Sequence, residues 1–136
     1  MNSHTYFISG HIDINPDEFK THYIHKIDEA LSQQDGIFVI GDANGTDTLA
    51  QTYLKDKTDK VTIYHIKTSP LNNIGDFKTK GGYKNHNRKD TAMTLISDYD
   101  IAWVRPIEDQ KKLYGSNYKK RISGTERNIR RRSLLL

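Results

Sequence analysis

Apolar positions along this chain come in short blocks, and the spacing within the blocks switches between two kinds. TYFISG (5–10) and GIFVIGD (36–42) are β-branched or aromatic runs that end at or near glycine, which predicts strands. The second is apolar at consecutive positions, as expected of a strand covered on both faces. KVTIYHI (60–66) and YDIAWVR (99–105) predict a third and a fourth strand, the latter stopped by Pro106. Between these runs the spacing lengthens to that of a helix. Phe19, Tyr23, Ile27, Ala30 and Leu31 share one face of a helix that opens on Asn15 as cap, with Pro16 at its first position and Glu18 behind, and that runs to about Ser32. Leu49, Ala50, Tyr53 and Leu54 form the inner face of a helix from Gly45 to about Lys57. Ala92, Met93, Leu95 and Ile96 do the same for HNRKDTAMTLISD (86–98). SGTERNIRRRSLLL (123–136) predicts a capped terminal helix; residues 67–85 read as a polar loop long enough to be functional or mobile, and residues 107–122 form a second polar stretch.

Strands alternating with helices predict an α/β, Rossmann-like three-layer domain with a mainly parallel sheet, spanning residues 1–136 as a single unit. In such sheets ligands bind beyond the carboxyl ends of the strands. That directs attention to Ser9–Asp13, Gly41–Asp47, residues 67–88 and the approach to Ser123–Thr125.

Composition narrows the picture. A hydrophobic share of 35% and a mean hydropathy of -0.78 predict a well-hydrated protein. The absence of cysteine excludes disulfides, thiolate metal sites and cysteine nucleophiles and fits a reducing cytoplasm. No signal-peptide pattern opens the chain, and no run approaches the roughly 18 apolar residues of a membrane span, so no membrane association is expected. The net charge of +4 hides a division: residues 1–60 carry −5 and residues 61–136 carry +9. A basic half can serve nucleic acid, an anion site, or only a solvated face.

The candidate chemistry lies in the loops. Gly41, Gly45 and Thr46 place exposed amides at a helix start, where an anion is favoured; the alternative is a tight turn capped by Asn44 or Thr46, with Asp47 complementing the dipole. The spacing is neither that of a P-loop nor G-x-G-x-x-G. Ser123, Gly124 and Thr125 form a second such start, with Arg127, Asn128 and Arg130 close behind and Arg88 within reach from the third helix. This can equally be a cap on a solvated basic helix. Asp13, Asp42 and Asp47 can accept hydrogen bonds from sugar hydroxyls or act as ordinary turn residues. Ser9, Gly10 and His11 border the same space, and Tyr83, on a glycine-hinged loop, offers a ring for base stacking or a plain surface tyrosine. His22 and His25 lack a third ligand nearby and read as surface residues. No metal and no cofactor is expected, and Trp103 reads as core.

Four pieces in order carry a resemblance: SGH after the first strand, GDANGTDTLA after the second, HNRKDTAM opening the third helix, and SGTERNIRR near the end. Together they resemble the SLOG superfamily of Rossmann-like nucleotide and ligand-binding domains, which includes the Lonely Guy phosphoribohydrolases and DNA-processing protein A. The chain looks most like the small bacterial and phage-type members. The resemblance implies binding of a phosphorylated, ribose-containing ligand, a nucleotide or an ADP-ribose-like molecule, with possible cleavage of an N-glycosidic bond in a nucleoside monophosphate. Arg88, Lys89 and Met93 match the arginine-lysine element of the Lonely Guy pattern. Two departures stand out. Ser123 precedes Gly124 where that pattern has paired glycines, and Asn128 occupies the place of its catalytic glutamate, three residues after Thr125. Asp42 and Glu126 are then the carboxylates available for catalysis. A non-catalytic nucleotide sensor or sequestering protein, and a nucleic-acid-binding protein using the basic half, remain alternatives. A homo-oligomer is expected, with Leu134, Leu135 and Leu136 docking on the sheet or on a second subunit.

Overall fold

Every strand predicted from the pattern forms, and a further one joins them. The computed structural model describes residues 4–33 and 35–135. Strands β1 (Thr5–Ser9), β2 (Ile37–Ile40), β3 (Val61–Tyr64), β4 (Lys78–Lys80) and β5 (Tyr99–Ala102) make one all-parallel sheet in the order β4-β3-β2-β1-β5. Side chains alternate across it, which is why residues 6–8 of β1 and Ile37–Ile40 of β2 are apolar at consecutive positions. Ile8, Phe38 and Ile40 enter one core with Tyr23, Ile27, Ala50 and Leu54, while Phe7 and Val39 enter another with Tyr64 and Met93.

The first helix starts on the expected Asn15 capping box: the Glu18 amide donates to Asn15 Oδ1 at 2.8 Å, and the Asn15 amide donates to Glu18 Oε1 at 3.1 Å. It comprises α1 (Pro16–Phe19), a π-helical turn (Lys20–Ile24) and α2 (His25–Ser32). Widened turns of this kind often mark places where a side chain is re-aimed. Here the fully buried Tyr23 bridges the ends of β1 and β5: its hydroxyl donates to the Ser9 carbonyl at 2.7 Å and accepts from the Trp103 amide at 3.0 Å. Trp103 lies just past β5, half-buried, stacked on His22 at 4.0 Å.

The remaining helices are α3 (Thr46–Leu54), α4 (His86–Ile96), α5 (Ile107–Tyr114) and α6 (Gly124–Ser133). Three expectations are corrected. Both polar stretches contain regular structure. β4 reads Lys-Thr-Lys, is exposed throughout and is held by backbone pairing to β3, while α5 buries no residue. On α4 the inward face is Lys89, Met93 and Thr94, a stripe from which Leu95 and Ile96 are rotated away, leaving them 65% and 60% exposed. Leu134 and Leu135 do not dock on the sheet; both are exposed, and Leu136 lies outside the described residues. Instead Arg132 fastens α6, donating to the Thr94 and Ser97 carbonyls at 3.1 and 2.7 Å and to Asp100 at 3.0 Å. Among the described residues no helix is long and apolar enough to cross a membrane.

Candidate functional site

From β1 the chain builds outward through β2, β3 and β4, then crosses back to place β5 on the opposite side of β1. The carboxyl ends of the strands around β1 therefore open into a crevice, the usual ligand position in open parallel sheets. Three cavities cluster there.

The innermost, about 170 Å³, is bounded by the ends of β1 and β2 and by α4 and α6. Ser9 is 7% exposed, and its Oγ has no hydrogen-bond partner. Asp47 accepts the Ala43 amide on Oδ2 at 3.1 Å. Burial pushes its carboxyl up to about 7, against the opposing pull of that amide and of Lys89. Lys89 is 5% exposed, with Nζ at 3.6 Å from Asp90 and 3.3 Å from His86 Nδ1. Burial likewise raises Asp90, despite Lys89 and Arg131. On the opposite wall Ser123 caps α6 through the Glu126 amide at 3.1 Å. Gly124 faces open space, and Thr125 and Asn128 are buried.

The second cavity, about 500 Å³, shares Ala43 and His86 with the first and is walled by Ile12, Ile66, Pro70 and Leu71, with Asp42 at its edge. Asp42 is itself a fastener: Oδ2 accepts the Leu71 amide at 2.8 Å, and its carbonyl accepts Asn72 Nδ2 at 2.9 Å. Buried Gln51 adds bonds to the Gly41 and Asn72 carbonyls and takes the Ile74 amide. The long polar segment after β3 is thus pinned to the end of β2.

The third, about 450 Å³, lies beyond Ser123 and includes His11, Arg105, Lys119, Arg121 and Glu126. Arg105 is 3% exposed and bridges two carboxylates, Glu18 at 2.9 and 3.0 Å and Asp13 at 3.1 Å. Tyr114 also donates to Asp13. Hydrogen bonding to Arg105 holds Glu18 below its ordinary range. For Asp13, partial burial alone would raise the pKa, but the bonds from Tyr114 and Arg105 outweigh it and lower the pKa. Both carboxylates therefore stabilise the fold above the ordinary carboxylate range, and that stability is lost as pH falls through their depressed folded values. Arg105→Ala removes the shared cation, leaving Asp13 with Tyr114 and Glu18 with the Asn15 amide, and is expected to cost about 2–3 kcal/mol at pH 7, less than breaking a fully buried pair because both partners reach solvent. It should also weaken acid sensitivity below about pH 4. Thermal unfolding of both proteins from pH 3 to 7 checks this; parallel curves would refute it.

Ser9, Gly10, Gly41, Asp47, Gly124, Thr125 and Asn128 come together around the innermost cavity, Asp42 borders the second, and His11, Ser123 and Glu126 border the third. Gly45 and Thr46 are packed against the β1 loop instead: the Thr46 amide and Oγ1 both donate to the His11 carbonyl, at 3.1 and 3.0 Å. Tyr83 stacks on Tyr64 against the smaller core. Arg88 and Arg127 are exposed and line none of the three cavities, and Asp13 is occupied by Arg105 and Tyr114. Of the basic helix, Arg130 pairs with Glu126 at 2.8 Å, and Arg131 bonds Asn128 and Asn87 at 2.6 and 2.9 Å. Lys89, Asp90 and Arg105 join the cavity walls beyond the residues that the sequence points to. The helical spacing of Lys89 from Met93 marks its inward face, whereas nothing local marks Arg105. Among the described residues no group of three or more His, Asp or Glu is arranged to hold a metal.

Fold and site together define a Rossmann-like three-layer α/β domain with cavities of mixed polar and apolar lining at the carboxyl edge of a parallel sheet. Comparison with known protein families, curated proteins and solved structures finds no match to this chain.

Proposed function

We propose that this protein binds a phosphorylated, ribose-containing ligand of the nucleotide type, in keeping with the resemblance to the SLOG superfamily. One observation carries the reading: a buried serine hydroxyl without a partner, a buried lysine and the open N-terminus of a ten-residue helix converge on one cavity. Buried polar groups are normally satisfied, so an orphan at a cavity wall fits a ligand atom. The phosphate would sit at the α6 amides, where the helix dipole favours an anion. The sugar would face Asp47, and the base would lie in the adjoining apolar cavity of Ile12, Ile66 and Leu71.

Binding without turnover is the better-supported version. Asp42 is committed to the Leu71 amide, and Glu126 borders the outer cleft, paired to Arg130. Nucleic-acid binding is disfavoured, because Arg130, Arg131 and Arg132 are engaged within the chain. Exposed Leu95, Ile96, Tyr99 and Leu134 keep a homo-oligomer in the proposal, which light scattering after size exclusion would reject if it showed a monomer.

Ser9→Ala separates binding from folding. The hydroxyl has no internal partner, so stability should be unchanged or slightly raised, while nucleotide affinity should fall about 5–10-fold, the worth of one hydrogen bond. Calorimetric titration with AMP and GMP measures it. If no nucleotide binds the wild-type protein, the proposal fails.

A further inference from the structure

We infer that the ligand carries at least two phosphoryl groups, the second lying in the outer cleft between Ser123 and the segment bearing Lys119 and Arg121. The inference rests on the nucleotide reading of the inner cavity. At about 170 Å³ that cavity is smaller than the roughly 300–1,000 Å³ of typical ligand sites, so a nucleotide has to extend beyond it. Two extensions exist, and their chemistry differs. The 500 Å³ cavity has an apolar wall of Ile12, Ile66, Pro70 and Leu71, suited to a base. The 450 Å³ cleft is polar and begins at Ser123, the residue next to Gly124 at the mouth of the inner cavity.

Charge in the cleft is unbalanced in the direction a phosphate requires. Its anions are already matched: Glu126 pairs with Arg130, and neighbouring Asp13 takes Arg105 and Tyr114. Arg105 is ion-paired with two carboxylates, Glu18 and Asp13. Lys119 and Arg121 form no ion pair among the described residues, so the surplus positive charge in the cleft is theirs. His11 adds a donor. Its Nε2 accepts the Arg105 amide at 2.9 Å, which assigns the proton to Nδ1, and burial together with Arg105 lowers its pKa, keeping the ring neutral. With one phosphoryl group on the α6 amides, Ser123 marks the passage to the cleft that takes the second beside Lys119 and Arg121.

Calorimetric titrations of the full chain with AMP, ADP, inorganic phosphate and pyrophosphate test this, on the wild type and on a Lys119→Ala, Arg121→Ala double variant. Both positions are exposed, so the fold should persist, which thermal unfolding verifies. ADP is expected to bind at least 10-fold more tightly than AMP, and pyrophosphate more tightly than phosphate. The double variant should lose most of the ADP advantage while holding AMP unchanged. Equal affinity for AMP and ADP, or an equal loss of both in the variant, overturns the inference and leaves the nucleotide site standing. Failure of every nucleotide to bind overturns both. Preference for a 5′-phosphorylated oligonucleotide over ADP, with steep salt dependence, would assign the cleft to nucleic acid and overturn the small-ligand reading.

Discussion

Gly45→Ala is expected to lower folding stability by about 3–5 kcal/mol, a large share of the 5–15 kcal/mol that holds a typical domain. Gly45 has φ 83° and ψ −122°, a region that side chains with a Cβ rarely adopt, and the backbone strain alone costs about 1–3 kcal/mol. Space is the second obstacle. A Cβ there would lie 2.4 Å from the Ile12 carbonyl oxygen and 2.6 Å from that of His11, and backbone cannot swing aside as a side chain can. The β1 loop would separate from α3, and the two hydrogen bonds from Thr46 to the His11 carbonyl would weaken, at about 1 kcal/mol each. Gly124→Ala is the control. Nothing lies within 4 Å of its added Cβ, and alanine favours a helix start over glycine by up to about 1 kcal/mol. That variant should fold as well as the wild type or better, yet bind nucleotide less well, since Gly124 lines the inner cavity. Urea denaturation gives both values. A Gly45→Ala cost below about 1 kcal/mol would mean that the loop adapts and that its close packing is incidental.

Asp47→Asn should change how stability depends on pH. The Asp47 carboxyl lies at about 7 in the fold because burial disfavours its charged form, against an ordinary value of 3.8 in the unfolded chain. Between those values the folded state binds more protons than the unfolded state, so wild-type stability should decline as pH rises and level off above about pH 8. The decline should total about 2–4 kcal/mol. Asparagine keeps a side-chain oxygen to accept the Ala43 amide but cannot ionise. The variant should therefore be flatter across this window and relatively more stable at pH 8. Burial of Asp90 contributes slope of the same sign, so some dependence should persist. Asp13 and Glu18 act in the opposite direction and only at lower pH, so the two effects separate. Equilibrium unfolding at pH 5, 6, 7 and 8 decides; identical slopes in both proteins would show that Asp47 is not the group responsible.

The local grammar of the chain determined much of this. Consecutive apolar residues in β1 and β2 specify strands covered on both faces, because alternate side chains must enter different cores. Asn15 with Glu18, and Ser123 with Glu126, cap helices through bonds spanning three residues and were legible locally, whereas α3 starts on Gly45 with no side-chain cap from Asn44 or Thr46. The glycine and hydroxyl clusters after β1 and β2 and before α6 were legible as loops at one edge of a parallel sheet, since strand-helix alternation sends every such loop to the same edge.

Tertiary structure alone decided the rest, because the forces involved act between distant residues. Lys78, Thr79 and Lys80 have no apolar pattern, yet they pair with β3 because backbone groups at a sheet edge need partners. Arg105 looks like any charged residue after a strand until the fold brings Glu18 to it across 87 positions. Adjacent Arg88 and Lys89 compete for one role, and rotation of the helix buries Lys89 while leaving Arg88 in solvent. The two aspartates of GDANGTDTLA divide in the same way. Asp42 reaches 29 residues along the chain to hold Leu71, while Asp47 is enclosed beside Lys89 and the orphaned Ser9 hydroxyl. Their spacing brings two carboxyls to one turn; contacts made by the whole fold decide that Asp42 holds a loop and that Asp47, whose pKa is raised, faces the cavity.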